Sequence, residues 1–113
     1  MTNTARWFDG KVVLVTGSSR GLGRAMALGF ADAGADVIVS SRTKSDCDVV
    51  AGEIRALGRR ALSFACDISE WNSCEALVDA ALSQFDRIDV LVNNAGASFD
   101  GSSLLDISEK EFD

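Results

Sequence analysis

Short apolar runs rich in β-branched residues alternate along the chain with longer stretches in which apolar positions recur every three to four residues. Those are the periods of strand and helix. Val12 to Thr16 is the first run. The stretch after it sets Leu22, Met26, Gly29, Phe30 and Ala33 on one face and stops at Gly34, where a left-handed C-terminal cap is wanted. A strand followed by an amphipathic helix is expected. Asp36 to Ser41 opens a second unit, whose helical stretch runs through Val50, Ile54 and Leu57 to Gly58. A third run, Ala61 to Cys66, ends at Asp67, and behind it Trp71, Cys74, Val78, Ala81, Leu82 and Phe85 form the stripe of a third helix. Val90 to Val92, after Asp89, is a fourth strand. Strands that are nearly unbroken apolar runs are covered on both faces, and right-handed crossovers then favour an α/β fold with a doubly wound parallel sheet.

The last residues carry a different signal. Ser108 and Glu111 have the spacing of a capping box, with Ile107 and Phe112 at the positions of a hydrophobic staple. A helix is announced there and the chain stops at Asp113, so the reading is one domain over residues 1–113 that is incomplete at its C-terminus. The length of 113 residues, 47% of them apolar, suits a single core.

Charge and composition narrow the partners. Eleven basic against seventeen acidic residues give a net charge of −6, which repels nucleic acid and anionic membrane surfaces. Residues 1–11 contain no apolar signal core, and Val12 to Val15 falls far short of the roughly 20 apolar residues that span a bilayer. Cys47, Cys66 and Cys74 are odd in number and form no Cys-x-x-Cys pair, which fits a reducing compartment. A cytoplasmic protein is expected. Histidine is absent, so neither a Ser-His-Asp triad nor a His-containing zinc site can be built, and no metal is expected.

Candidate chemistry lies between the first strand and the first helix, at Thr16-Gly17-Ser18-Ser19-Arg20-Gly21-Leu22-Gly23. Gly17 can turn sharply off the strand, Gly21 can let backbone N–H groups approach a pyrophosphate, and Gly23 can let the helix sit close to the sheet. The helix N-terminus then meets the anion with unpaired N–H groups and a partial positive charge. Glycines chosen only for a tight turn and close packing remain the alternative. No Gly-Lys-Ser/Thr follows, which disfavours NTP hydrolysis. About 20 residues further on, where an acid would hold the ribose 2′-hydroxyl of NAD, stand Ser41 and Arg42. A guanidinium there grips a 2′-phosphate through charge-assisted hydrogen bonds, and Arg20 can reach it from the glycine turn. NADP is therefore the expected cofactor, with NAD second.

Together with Asp89-Val90-Leu91-Val92-Asn93-Asn94-Ala95-Gly96, the glycine turn makes the sequence resemble the short-chain dehydrogenase/reductase family from Lys11 to Asp113. The resemblance implies a Rossmann-like sheet in the order 3-2-1-4, cut off after the fourth strand. It implies that Gly17, Ser18, Ser19, Arg20, Gly21, Leu22 and Gly23 hold phosphates and ribose, and that Ser41 and Arg42 select NADP. By the same resemblance Asp67 and Ile68 sit beside the adenine, while Asn94, Ala95 and Gly96 approach a ribose and steady the sheet. The family's serine, Tyr-x-x-x-Lys and supporting asparagine have no counterpart here, and the chain has no tyrosine at all. No catalytic residue is carried over. The implied parent is a homo-oligomeric oxidoreductase acting on a small carbonyl or alcohol; the alternative is a stand-alone, non-catalytic NADP-binding module.

Overall fold

The computed structural model describes residues 7–94. Four strands, β1 (Val12–Thr16), β2 (Asp36–Ser41), β3 (Ala61–Ala65) and β4 (Val90–Val92), alternate with three helices, α1 (Gly21–Asp32), α2 (Lys44–Ala56) and α3 (Trp71–Phe85). The strands form one parallel sheet in the order β3-β2-β1-β4. Val13 pairs with Val37 on one side and Val90 on the other, and Leu14 pairs with Ile38. Because side chains alternate along a strand, this register sorts the apolar residues into two layers. Val13, Val15, Val37 and Val39 meet Ala27 and Ala31 of α1 and Val50 and Ile54 of α2. Val12, Leu14 and Ile38 face the other way, onto Leu77, Ala81 and Phe85 of α3. Each fully buried valine or isoleucine contributes about 1.5–3 kcal/mol.

β1, β2 and β4 have the bounds the sequence predicts, and β3 ends one residue earlier, at Ala65. Cys66 still donates its N–H to the Ser41 carbonyl at 2.8 Å, so pairing outlasts the strand by one bond. α1 and α2 stop at glycines in the left-handed region, Gly34 and Gly58, whereas Asp86 takes that role after α3.

The helix faces depart from expectation. α1 buries Gly23, Ala27 and Ala31, while Leu22 is 69% exposed and Gly29 lies on the outer side. The small residues at i, i+4 and i+8 bring the helix backbone close to the sheet, and Met26, Leu28 and Phe30 pack around that seam. On α2, Cys47 and Ala51 join Val50 and Ile54 in the core, and Leu57 is exposed. α3 carries two apolar stripes. Leu77, Ala81 and Phe85 are buried, whereas Trp71, Val78 and Leu82 face outward. Full burial on both faces holds for β1 and for Val37 to Ser40 of β2; β3 is half-buried, and Leu91 of β4 is 61% exposed. The predicted helix start at Ser108 lies outside the described residues.

Candidate functional site

The C-terminal ends of β1, β2 and β3 open on one cleft, and the turn from β1 into α1 forms its floor. Ser18 fixes that turn to β2. Its hydroxyl donates to the Val15 carbonyl at 2.6 Å and accepts the Ser40 N–H at 2.9 Å, and its own N–H donates to the Ser40 carbonyl at 3.0 Å. Ser18 is fully buried. Its polar groups are thus committed inside the fold, and it supports the turn from beneath.

Gly17 (φ +62) and Gly21 (φ +59) adopt the left-handed backbone that disfavours side chains. Open space surrounds the position where a Gly21 Cβ would stand, so a side chain there would project into the room beside the helix start. Gly23 is required for the opposite reason. A Cβ on it would lie 2.0 Å from the Gly17 carbonyl oxygen and 2.7 Å from Asn94 Nδ2. Asn94 itself donates to that Gly17 carbonyl at 3.1 Å, and Thr16 Oγ1 reaches Asn93 Oδ1 at 3.1 Å. The ends of β1 and β4 are thereby joined, on the two sides of the place where strand order reverses.

α1 begins without a cap. Its N-cap residue, Arg20, is extended (φ −162, ψ 171) and makes no side-chain cap bond, and the first turn contains no acidic residue. The first N–H groups of a helix have no intrahelical partner, and the helix dipole makes this end positive. An anion placed there would satisfy both.

The cleft has a volume of about 420 Å³. Gly17, Ser19 and Arg20 line it from the turn; Ser40, Ser41, Arg42 and Thr43 from the end of β2; Asp46 from α2; and Cys66 and Ile68 from the segment after β3. Arg20 is exposed, and the Arg42 side chain is 78% exposed, its Nε standing 3.9 Å from Asp67 Oδ1. The Asp67 carboxyl is held below the ordinary carboxylate range because Ser69 donates to it through its hydroxyl at 2.7 Å and its N–H at 3.0 Å, with Arg42 adding attraction. The Ser40 hydroxyl is buried and has no hydrogen-bond partner.

Of the residues singled out in the sequence, Gly17, Ser19, Arg20, Ser41, Arg42 and Ile68 share the cleft wall, and Asp67 flanks it through Arg42. Gly21 stands at the helix start, and the Leu22 side chain points to solvent. Ser18, Gly23 and Asn94 hold the turn from behind. Ala95 and Gly96 lie outside the described residues. Sequence reasoning missed Ser40, Thr43, Asp46 and Cys66. Ser40 and Thr43 flank the Ser41-Arg42 pair and were within reach of a wider reading of that strand end. Cys66 reads as a core residue, and Asp46 as an ordinary first-turn acid.

A doubly wound parallel sheet with a glycine-shaped turn beside its reversal point defines the class of α/β proteins that bind ligands in that crevice. A glycine-lined cradle and an uncapped helix end fit a phosphate-bearing dinucleotide, and among the described residues no group of three or more His, Cys, Asp or Glu is placed to hold a metal ion. The sequence matches the family model described as short chain dehydrogenase over residues 11–113. The chain belongs to the short-chain dehydrogenase family. It is 46% identical over 103 residues to an uncharacterized oxidoreductase of Mycobacterium tuberculosis, a match covering 91% of this chain and 39% of that protein. Its structure resembles that of a metagenomic short-chain oxidoreductase in complex with NADP (TM-score 0.75, 40% identity, covering 87% of this chain and 44% of the other). It also resembles an NAD+-bound xylitol dehydrogenase (TM-score 0.77, 33% identity, covering 80% and 35%). The chain thus spans well under half the length of the relatives it matches.

Proposed function

We propose that the cleft binds NADP and that the chain is the cofactor-binding part of an NADP-dependent oxidoreductase acting on a carbonyl or alcohol substrate. One observation carries this reading: the uncapped, acid-free N-terminus of α1 opens on a cleft flanked by Arg20 and Arg42. The backbone N–H groups of Gly21, Leu22 and Gly23 would hold the pyrophosphate, and the two guanidinium groups the 2′-phosphate. Ile68 and Asp67 would border the adenine; Asn94, followed by Ala95 and Gly96, would lie toward a ribose. The bound cofactor would supply a hydride donor or acceptor. One structural relative carries NADP and another NAD+. The preference therefore rests on this chain's own Ser41 and Arg42, which stand where an acid would repel a 2′-phosphate.

These 113 residues include no tyrosine, so the proton-transfer set that the family resemblance implies is not within them. The chain by itself is expected to bind the cofactor without turning over substrate, and the intact polypeptide to do both. Titrating NADPH and NADH by calorimetry tests the reading. NADPH should bind more tightly, and Arg42→Asp should reverse the order. Equal or tighter binding of NADH by the unaltered protein would overturn the assignment.

A further inference from the structure

The part of the cleft lined by Arg20 and Arg42 is also lined by an acid. Asp46 is the third residue of α2 and lines the cleft with Arg20, Arg42 and Thr43. Thr43-Lys44-Ser45-Asp46 has the spacing of a capping box, in which the N-cap side chain and the third-residue carboxylate exchange hydrogen bonds with each other's backbone. Neither half of that box is made here. The Thr43 side chain forms no cap bond, and the Thr43 N–H instead donates to Ser41 Oγ at 3.3 Å. Two of the nearby cations are engaged elsewhere, Lys44 with Asp48 at 2.6 Å and Arg42 beside Asp67, while Arg20 takes no part in a salt bridge among the described residues. The Asp46 carboxylate is exposed and takes no part in a salt bridge among the described residues. It is left unpaired at the edge of the cleft into which Arg20 and Arg42 would draw a 2′-phosphate.

We infer that Asp46 is a specificity-determining residue that works against the arginines, weakening the 2′-phosphate-bearing cofactor and narrowing the margin of NADP over NAD. This rests on the proposal that the cleft binds NADP. The physical basis is like-charge repulsion at a partly solvated site, strong enough to move affinity and open to screening by salt. NAD carries no phosphate at that position and is indifferent to the carboxylate.

Calorimetric titration of the intact polypeptide and its Asp46→Asn variant tests the inference. Removing the charge should tighten NADPH by about three- to fivefold and leave NADH within about twofold. Adenosine 2′,5′-bisphosphate should tighten in step with NADPH, adenosine 5′-monophosphate should not, and the gain should shrink in 1 M salt, where the screening length is about 3 Å. A purely structural role moves the readout the other way, because losing an acid from the first turn of α2 lowers thermal stability and confers no gain in affinity. If Asp46→Asn does not fold, Asp46→Ser carries the same expectation. Unchanged or weaker NADPH binding by a folded variant, or equal tightening of the monophosphate, overturns the role of Asp46 while leaving the cofactor assignment intact. Failure of the unaltered protein to bind either NADPH or the bisphosphate instead overturns the cofactor assignment, and the inference with it.

Discussion

Replacing Gly23 with alanine puts a methyl group where the turn and the helix have no room for one. The new Cβ would stand 2.0 Å from the Gly17 carbonyl oxygen, 2.8 Å from the Gly17 carbonyl carbon and 2.7 Å from Asn94 Nδ2. Two of these three neighbours are backbone atoms, so no side-chain rotation relieves the clash. Either α1 lifts from the sheet, against the packing of Ala27 and Ala31, or the Gly17 turn deforms and loses its 3.1 Å hydrogen bond from Asn94. Overpacking of this kind costs about 1–3 kcal/mol, and the lost hydrogen bond a further 0.5–1.5 kcal/mol or so. Better helix propensity returns at most about 1 kcal/mol. The expected net loss is about 2–3 kcal/mol, read as a lower urea midpoint at constant m-value. Gly29→Ala provides the contrast, since that glycine sits on the outer side of the same helix with nothing within 4 Å of its Cβ position. The same chemical change there should stabilise by about 0.5–1 kcal/mol. In an Asn94→Ala background Gly23→Ala should remain destabilising, because only the amide contact has been removed and the Gly17 carbonyl stays. A Gly23→Ala variant within about 0.5 kcal/mol of the unaltered protein, or one fully rescued by Asn94→Ala, would refute the close-approach argument.

The two serines that meet between β1 and β2 should respond differently to the same substitution. Ser18→Ala removes two buried hydrogen bonds, from its hydroxyl to the Val15 carbonyl and from the Ser40 N–H to its oxygen, and should lower unfolding free energy by about 1–3 kcal/mol, whereas Ser40→Ala removes an unpartnered hydroxyl and should be near neutral or stabilising. Equal losses from the two variants in urea unfolding would contradict this. Acid sensitivity follows from carboxyl groups such as Asp89, held below the ordinary range first by the Val12 N–H at 2.8 Å and then by Arg87. A depressed folded value means the unfolded chain binds protons more readily, so the contribution is complete above the unfolded value near about 3.9 and lost as pH falls through the folded one. With no histidine in the chain, thermal midpoints should vary little from about pH 8 to 5 and fall below about pH 4. Asp89→Asn should make that fall shallower, and superimposable acid limbs for the two proteins would contradict the assignment.

The strands were legible because their signal is local. β-Branched runs such as Val12 to Thr16 and Asp36 to Ser41 end where turn residues begin, and parallel pairing needs nothing further to set their bounds. The helix faces were less legible because bulk misleads. Leu22, Trp71 and Val78 score as apolar and fall on a helical period, yet the surface of α1 that meets the sheet is Gly23, Ala27 and Ala31. Close approach of a helix to a sheet selects small residues, and an apolar period weighted by side-chain size points to their larger neighbours. On α3 two stripes of the same period coexist, and periodicity alone does not say that Leu77, Ala81 and Phe85 form the inner one.

The site divides along the same line. Gly17, Gly21 and Gly23 announce themselves because each meets a backbone demand that few other residues satisfy, and Arg42 does so because it stands where an acid would hold the ribose 2′-hydroxyl of NAD. Asp46 gave no signal, since an acid in the first turn of a helix is ordinary. Only the unmade capping box shows that its charge is left over. Ser18 has a structural role that the sequence does not announce, for a related reason. A serine in a glycine-rich turn reads as a ligand contact, but its hydroxyl is shared between β1 and β2 and its N–H is bonded to β2. Those bonds have a consequence for binding. Ser18 ties the turn to β2, and Asn94, 77 residues after Gly17, ties it to β4. The amide cradle is therefore held from both neighbouring strands, and its shape depends on sheet assembly rather than on the glycine motif alone. A peptide carrying the motif without β2 and β4 would keep the glycines and lose the cradle.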